Sequence, residues 1–379
     1  MIRKLLSITS LLAIALTACS SDDGGGTDGG DTSSGVLTVE VLFTDAGCEP
    51  ADITTPLGPT TFHVSNTDAG AVTEFEVLDG GRILGEVENL TPGLDGDFTL
   101  DLEPGSFETY CPGGSAERGT LTVTGQAAVE SPGAETGTSL DVAVASYLTF
   151  VQQNAATLVS RVNTFVKAVE DGDIERAKAL FAWAREPYEA IEPVAESFGE
   201  LDPAIDAREN DVPDDEWTGF HRIEKALWVD GSLDGMSPVA QKLADDVAGL
   251  QELVATVELD PARIANGATE LLGEVSNSKI TGEEDRYSHT DLWDFQANVD
   301  GARAAFTALQ ALIVSRDPAL AEELRRRFAE VDEALDPYRT GDGFVLYTDL
   351  TNDDTRALSR VIDALAEPLS TVAALVVVA

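Results

Sequence analysis

The sequence predicts two folded units of different class, an all-β sandwich followed by an all-α helical unit. Residues 36–124 contain many short runs of β-branched and aromatic residues, broken at short intervals by glycine and proline, which is typical of a sandwich. From residue 139 to residue 379, apolar residues recur at helical spacing. About 90 residues suit one sandwich domain. About 240 residues suffice for one large helix bundle or two packed four-helix bundles.

The amino-terminal residues 1–19 have the pattern of an export signal. Arg3 and Lys4 precede a mostly apolar run over residues 5–16, which is too short to span a membrane. Leucine, threonine and alanine then lead into Cys19. This pattern resembles the bacterial lipoprotein box, which implies cleavage before Cys19 and a lipid on its thiol. The alternative is an ordinary secretory signal with an incidental cysteine.

The segment after this cysteine predicts a tether. Residues 20–35 are all glycine, serine, aspartate or threonine, a composition that cannot bury a core and stays flexible. We therefore expect an exported protein, held by its lipid at the outer face of the cytoplasmic membrane or in the periplasm.

The charge of the chain is strongly acidic. It has 68 acidic and 24 basic residues, for a formal net charge of −44. This excess excludes nucleic-acid binding, which needs a basic face. Two interpretations remain. The surface is hydrated and suited to salty surroundings that screen self-repulsion, or its field concentrates cations near the protein.

Six runs in the β unit have strand character. They are residues 36–43, 60–66, 73–78, 97–102, 105–111 and 119–124. Cys48 and Cys111 also lie in this unit, and a disulfide is the default for two cysteines of an exported protein. Residues 125–138 show no periodicity and predict a linker.

Helix starts are well marked in the helical unit. Ser237, Asp260 and Asp317 each stand directly before a proline. This order predicts a capping side chain followed by proline at the first helical position. The last apolar run, residues 369–379, is too short to span a membrane and predicts a packed helix end.

His221 and Glu224 are the first candidate site. They are three residues apart, so a helix would place an imidazole and a carboxylate on one face, one turn apart. Such a pair binds a metal ion or is simply a solvated His-Glu pair on a surface. The chain has only three histidines, and aromatic residues surround this one, which favours a metal site.

Acidic tracts accompany this pair, and all four tryptophans lie in or beside them, between residues 183 and 293. The tracts cover residues 183–193, 201–209 and 278–294. Helix bundles hold metals with carboxylates and an imidazole that project inward. One imidazole with several carboxylates is a hard donor set, which suits iron, manganese or calcium.

These motifs resemble two related families. Residues 219–228 are similar to the His-x-x-Glu signature of the imelysin-like family. Residues 184–189 and 281–295 are similar to tracts of the EfeO family, the extracytoplasmic iron-binding components of Efe iron-uptake systems. The resemblance covers residues 140–379. It implies an imelysin-like double four-helix bundle that binds ferrous or ferric iron. The implied ligands are His221 and Glu224, with Glu186, Glu284 and Asp206 as further candidates.

The β unit resembles the cupredoxin-like domain of longer EfeO-family members. Cys48 and Cys111 match the two cysteine positions of that domain, and Glu74 and Glu76 match its acidic strand. The resemblance implies a second site for copper or iron. A blue-copper centre is not expected, because it needs two histidines and usually a methionine, whereas this unit has His63 alone and no methionine. The two cysteines therefore form a disulfide or bind metal.

The sequence thus predicts a transport component rather than an enzyme. The resemblance implies delivery of iron to an Efe-type iron permease, with a haem-dependent Efe peroxidase as a further partner. The alternatives are an imelysin-type metallopeptidase and a cation-dependent polysaccharide-binding module. Against the peptidase, a zinc-protease helix carries two histidines four residues apart with a glutamate after the first. Here position 225, four residues after His221, is lysine.

Overall fold

The computed structural model describes residues 36–125, 134–199, 201–277, 279–341 and 343–377. The expected export signal, the tether and Cys19 lie outside the described residues, as do residues 126–133 of the expected linker. From Val36 onward the chain is one unit in which strands and helices are in contact.

The β unit is a two-sheet sandwich, as the sequence predicts. Its strands are β1 (Leu37–Thr44), β2 (Gly47–Glu49), β3 (Ile53–Pro56), β4 (Thr60–Ser65), β5 (Phe75–Asp79), β6 (Arg82–Val87), β7 (Asp95–Leu100), β8 (Gly105–Tyr110) and β9 (Arg118–Thr124). One sheet has the order β2-β1-β4-β7 and the other β3-β9-β8-β5-β6. In β4 buried and half-buried residues alternate, because successive side chains point to opposite faces. Phe62, Phe75 and Phe98 meet at the centre of the core, with ring centroids 5.0–5.8 Å apart.

The helical unit follows the sandwich. Its helices are α1 (Ala134–Glu170), α2 (Ile174–Glu189), α3 (Glu192–Glu196), α4 (Leu201–Asp206), α5 (Gly219–Lys225), α6 (Ser237–Val254), α7 (Pro261–Asn277), α8 (Asp291–Arg316), α9 (Pro318–Leu335), α10 (Asn352–Ser370) and α11 (Val372–Val377). A short hairpin, β10 (Arg339–Thr340) and β11 (Gly343–Phe344), follows α9. Helix α1 packs against α2, α6 and α8, and α7 packs against α8, α10 and α11. Helix α8 is therefore shared by two groups of helices.

Two of the three expected helix caps are confirmed. The Oδ1 atoms of Asp260 and Asp317 each accept hydrogen bonds from two backbone N–H groups of the following turn, at 2.8–3.0 Å. These bonds satisfy donors that have no partner inside the helix. The third is wrong. Helix α6 begins at Ser237 itself, and Met236 precedes it without a side-chain cap.

The order of the two units agrees with the sequence, but the linker is shorter than expected. Helix α1 begins at Ala134, inside the stretch 125–138 that was expected to be a linker. The acidic and polar residues of this stretch carry no apolar periodicity, so the sequence pattern did not reveal the first turns of the helix. Within the described ranges, no helix is long and apolar enough to cross a membrane.

Helix α7 docks on the sandwich through Asn266. Its Nδ2 donates to the Thr99 carbonyl at 2.8 Å, and its Oδ1 accepts from the Thr99 N–H at 3.2 Å. Thr99 lies in β7, an edge strand of its sheet, so the carboxamide of Asn266 takes the place of a further strand. Arg263 adds a bond from Nη2 to the Ile83 carbonyl, at 3.0 Å.

We expect Asn266→Ala to lower the free energy of unfolding by about 1–3 kcal/mol, because the buried N–H and C=O of Thr99 lose their partner. Urea denaturation followed by circular dichroism measures the change. The matched control is Asn163→Ala, an exposed side chain that donates only to the Val159 carbonyl of its own helix. This control should change stability by less than about 0.5 kcal/mol. Equal stability of the two variants would contradict the role of Asn266.

Candidate metal centre

His221 and Glu224 lie one turn apart on α5, and both are buried, with 1% and 0% exposure. The interpretation as a solvated surface pair is therefore wrong. Gly219 begins this helix at a φ of +79°, and a Cβ there would lie 2.1 Å from the Ile205 carbonyl oxygen. Only glycine permits this approach of α5 to the end of α4. The approach brings Asp206, the last residue of α4, next to His221.

Three side chains converge at the Nε2 side of the imidazole. His221 Nε2 lies 3.3 Å from Glu284 Oε1 and 3.7 Å from Asp206 Oδ1. One ligand atom from each of the three lies within 4.8 Å of the others. Glu284 comes from the segment between the 3₁₀ turn Lys279–Thr281 and α8. The structure thus brings together His221, Asp206 and Glu284, three of the expected ligands.

Glu224 contacts the other side of the same ring. Its Oε2 lies 3.0 Å from His221 Nδ1, and its Oε1 accepts from the backbone N–H groups of Tyr287 and Ser288 at 3.0 and 2.7 Å. Burial raises the pKa of Glu224, but the bonds from His221 and Ser288 outweigh burial and lower it. Glu224 therefore fixes the orientation of the imidazole and ties the segment before α8 to α5.

Arg185, on α2, lies at the centre of the site. Its guanidinium is completely buried and forms ion pairs with carboxylates from α2, α4, α8 and the segment before α8. Its Nη1 also lies 3.1 Å from His221 Nε2. We call its partners the carboxylate cluster, which consists of Glu189, Asp206, Glu284, Asp285 and Asp294.

Lys279 is a second buried cation beside the cluster. Its Nζ lies 2.7 Å from Glu189 Oε2, 2.6 Å from Glu192 Oε2 and 2.9 Å from Glu274 Oε2. Burial lowers the pKa of Lys279, but these carboxylates outweigh burial and raise it well above its usual value. Lys279 is therefore charged, and it joins α2, α3 and α7.

The pKa values of several groups in the site are strongly shifted. Burial and the charge of Arg185 lower the pKa of His221, but three nearby carboxylates outweigh them and raise it to about 10. Burial raises the pKa of Glu284, but Lys279 and His221 outweigh burial and hold it well below its usual value. Burial raises the pKa of Asp285 to about 8, although Arg185 opposes this. Unlike charges thus face each other in a medium that screens them weakly.

The comparisons with known proteins agree with both units. Residues 143–372 match the family model described as imelysin, and residues 8–123 match that of a cupredoxin-like domain. The chain is 40% identical over 369 residues to the iron uptake system component EfeO of Escherichia coli strain K12, across 96% of this chain and 95% of that protein. The chain belongs to the EfeO family. Proteins of the same name from Shigella flexneri and Escherichia coli O157:H7 match with the same identity and coverage.

The resemblance to the EfeO family suggested Glu186 as a ligand, and the structure corrects this. Glu186 accepts from Arg161 Nη1 at 2.6 Å, with 38% of its side chain exposed. Arg185 and Glu189, four residues apart, instead share the buried face of α2 with Phe181. Glu186 is rotated about 100° from Arg185 on this helix. The acidic tract thus contributes to the site through a different residue.

Sequence reasoning missed five residues of the site, two of them cations. The only sequence signal for them was their position relative to the apolar residues. Arg185 follows Phe181 by four residues and precedes Tyr188 by three, so the apolar periodicity of α2 already placed it on the buried face. The missed residues are Arg185, Glu189, Lys279, Asp285 and Asp294.

The cysteine positions expected of an EfeO-family cupredoxin-like domain form a disulfide, Cys48–Cys111. Neither sulfur is then a thiolate that binds metal, so the interpretation of these cysteines as ligands is wrong. The bond joins β2 to the residue that follows β8. The two cysteines of the sandwich therefore have a structural role, as a disulfide.

Glu74 meets two other carboxylates of the sandwich. Ligand atoms of Glu74, Glu86 and Glu88 lie within 4.8 Å of one another. Glu86 is 4% exposed, and its Oε2 has no hydrogen-bond partner within the described ranges. Glu76 lies opposite Glu86 in the β5–β6 pair. We call Glu74, Glu86 and Glu88 the sandwich triad.

We expect Lys279→Met to lower the free energy of unfolding by about 3–5 kcal/mol, because Glu192 would stay buried without its cation and Glu189 would keep only Arg185. Urea denaturation measures this difference. The matched control is Lys242→Met, which removes an exposed pair with Asp246 and should cost less than about 1 kcal/mol. A similar loss in both variants would show that Lys279 has no special role.

Proposed function

We propose that this protein captures iron outside the cytoplasm and delivers it to an iron permease of the Efe type. The observation that carries the proposal is the buried convergence of His221 Nε2, Asp206 and Glu284 on one point. These residues are the proposed iron ligands. The name of the relatives, iron uptake system component, supports the same cargo.

The chemistry of the donors supports iron rather than a softer metal. Two carboxylates and one imidazole form a hard to intermediate set, which suits ferrous or ferric iron. Cu(I) prefers sulfur ligands, and none of the three donors is a sulfur atom. Glu224 would then support the ligand His221 and not bind the metal itself, because its bond to Nδ1 leaves Nε2 facing the cargo.

A crevice of about 210 Å³ supports exchange of the cargo with solvent. Asp206 and Glu284 line it, together with Glu88 of the sandwich. Its lining is mostly acidic, and the whole chain carries a net charge of −44. Such a field raises the local concentration of cations. Capture and release then need no covalent chemistry.

The cellular setting is also part of the proposal. The lipid on Cys19 and the tether of residues 20–35 would hold the protein at the outer face of the cytoplasmic membrane. The Efe permease would receive the iron, and the haem-dependent Efe peroxidase would be the other partner. Resemblance to the family supports these partners.

A metallopeptidase of the imelysin type is the alternative from another class. The lysine at position 225 and the single imidazole of the site argue against it. Casein hydrolysis that is lost in His221→Ala would favour the peptidase over the carrier. A cation-dependent polysaccharide-binding module is weaker still, because the acidic surface repels a polyanion unless a metal bridges them.

We expect His221→Ala and Glu284→Gln each to weaken Fe²⁺ binding at least about 100-fold, since even the loss of a residue that supports a ligand typically costs 10–100-fold. Anaerobic calorimetry and metal analysis of the purified protein measure this. The matched control is Glu186→Gln, which alters a carboxylate of the same tract outside the site and should bind as the wild type does. Unchanged binding in both site variants would rule out the proposed function.

We also propose a second cation site at the sandwich triad. The partnerless Oε2 of buried Glu86 supports it, because a buried oxygen without a partner is costly unless a cation approaches it. An all-carboxylate set is hard, so it suits iron better than copper.

We expect Glu86→Gln to remove one bound ion per chain and to leave the ion at His221 in place. The measurement is Fe²⁺ or Mn²⁺ stoichiometry by metal analysis. Glu40→Gln, an exposed carboxylate of the same sandwich, should keep full stoichiometry. If Glu86→Gln binds as many ions as Glu40→Gln does, the sandwich triad is not a metal site.

A further inference from the structure

The guanidinium of Arg185 is aimed at the same atoms that would bind iron. Its Nη1 pairs with Asp206 and lies 3.1 Å from His221 Nε2, and its Nη2 lies 3.3 Å from Glu284 Oε1. A metal ion bound to Nε2 would lie within about 5 Å of Nη1, since a nitrogen ligand lies about 2.1 Å from its metal. Repulsion between two cations at that distance in a buried site is strong.

The hydrogen bonds of Arg185 are incomplete on its other side. Its Nε has no hydrogen-bond partner among the described residues. The nearest acceptors, Oδ1 of Asp285 and Oδ1 of Asp294, each lie 3.6 Å away, which is too far for a hydrogen bond. Both of these oxygens, and Oδ2 of Asp294, also have no such partner in the described part of the chain. A buried arginine with a purely structural role normally has its donors satisfied.

Two sets of carboxyl groups therefore compete for one guanidinium. Asp206, Glu284 and Glu189 pair with its Nη atoms. Asp285 and Asp294 lie beside its Nε and have oxygens without a hydrogen-bond partner among the described residues. A shift of roughly 1 Å would bring the second set within hydrogen-bond distance of Nε. The rings of Phe181 and Phe220, whose centroids lie 5.9 and 5.5 Å from Arg185 Cζ, border the guanidinium on the apolar side.

We propose that Arg185 is an exchangeable counter-cation. It pairs with Asp206 and Glu284 before iron binds, and it moves onto Asp285 and Asp294 when iron takes its place. This inference rests on the proposed function of the same site. The returning guanidinium would compete with the ion, so the carrier releases cargo that it would otherwise bind too tightly. Arg185 is thus a positioning residue that sets affinity and release.

The test compares Arg185→Gln, which removes the charge, with Arg185→Lys, which keeps it. The full-length protein is titrated anaerobically with Fe²⁺, and with Mn²⁺ as a redox-stable probe. We expect Arg185→Gln to bind more than about tenfold tighter and to release the ion more slowly, because a like charge near the ion is gone. Arg185→Lys should stay within about threefold of wild type. Binding by Arg185→Gln that equals or is weaker than wild type would overturn the proposal.

Asp294→Asn is a second variant that tests the proposal and keeps the buried arginine. It removes one of the two carboxylates onto which the guanidinium would move, so we expect the metal ion to bind about tenfold more weakly than in wild type. The control is Asp300→Asn on the same helix, which lies near Arg303 rather than Arg185 and should bind normally. If Arg185→Gln does not fold, as judged by circular dichroism, Asp294→Asn decides. Wild-type affinity in Asp294→Asn would then overturn the proposal.

The same titrations separate this proposal from the function on which it rests. If wild type binds no ion, or His221→Ala binds as well as wild type, the proposed iron site is wrong and the role of Arg185 falls with it. If His221→Ala abolishes binding at the His221 site, but removal of the Arg185 charge leaves the affinity of that site unchanged or lowers it, only the counter-cation role is wrong.

Discussion

The helical unit depends on the pairing of Arg185 with the carboxylate cluster. Transfer of several carboxylates from water into a protein interior costs more free energy than the folded state has in reserve, unless cations accompany them. Arg185 lies within ion-pair distance of five carboxylates, and Lys279 serves three on the neighbouring side. Because these acids come from separate helices and a loop, the two cations also hold those elements in place.

The same charge balance would suit the carrier role proposed above. The cluster is held by internal cations, which a metal ion of higher charge would replace under the exchange proposed for Arg185. Glu224 holds the imidazole of His221 in one orientation, since its other oxygen is fixed by two backbone N–H groups. Under that proposal, the imidazole is already oriented for a cation before one binds.

Sequence patterns predicted the sandwich well where alternation was clean, and less well elsewhere. Strand β4 alternates and was expected, whereas β6 was not, because Gly85 and the buried Glu86 interrupt its apolar pattern. In the site, the spacing of His221 and Glu224 was sufficient to place both on one face of a helix, and the structure shows that this face is buried. The prediction of Glu186 identified the correct tract but the wrong residue. Spacing within an acidic run does not show which of its residues faces the core.

The sequence by itself determined the local features, namely the two units, their order, the one-turn spacing of His221 and Glu224, and the acid-rich tracts around them. These follow from periodicity and residue type, which act over a few residues. Only the tertiary structure decided that Cys48 and Cys111 form a disulfide, and that Arg185 occupies the centre of the site. Those outcomes depend on distances between elements far apart in the chain. Such distances are set by packing, as in the approach of α5 to α4 that Gly219 permits.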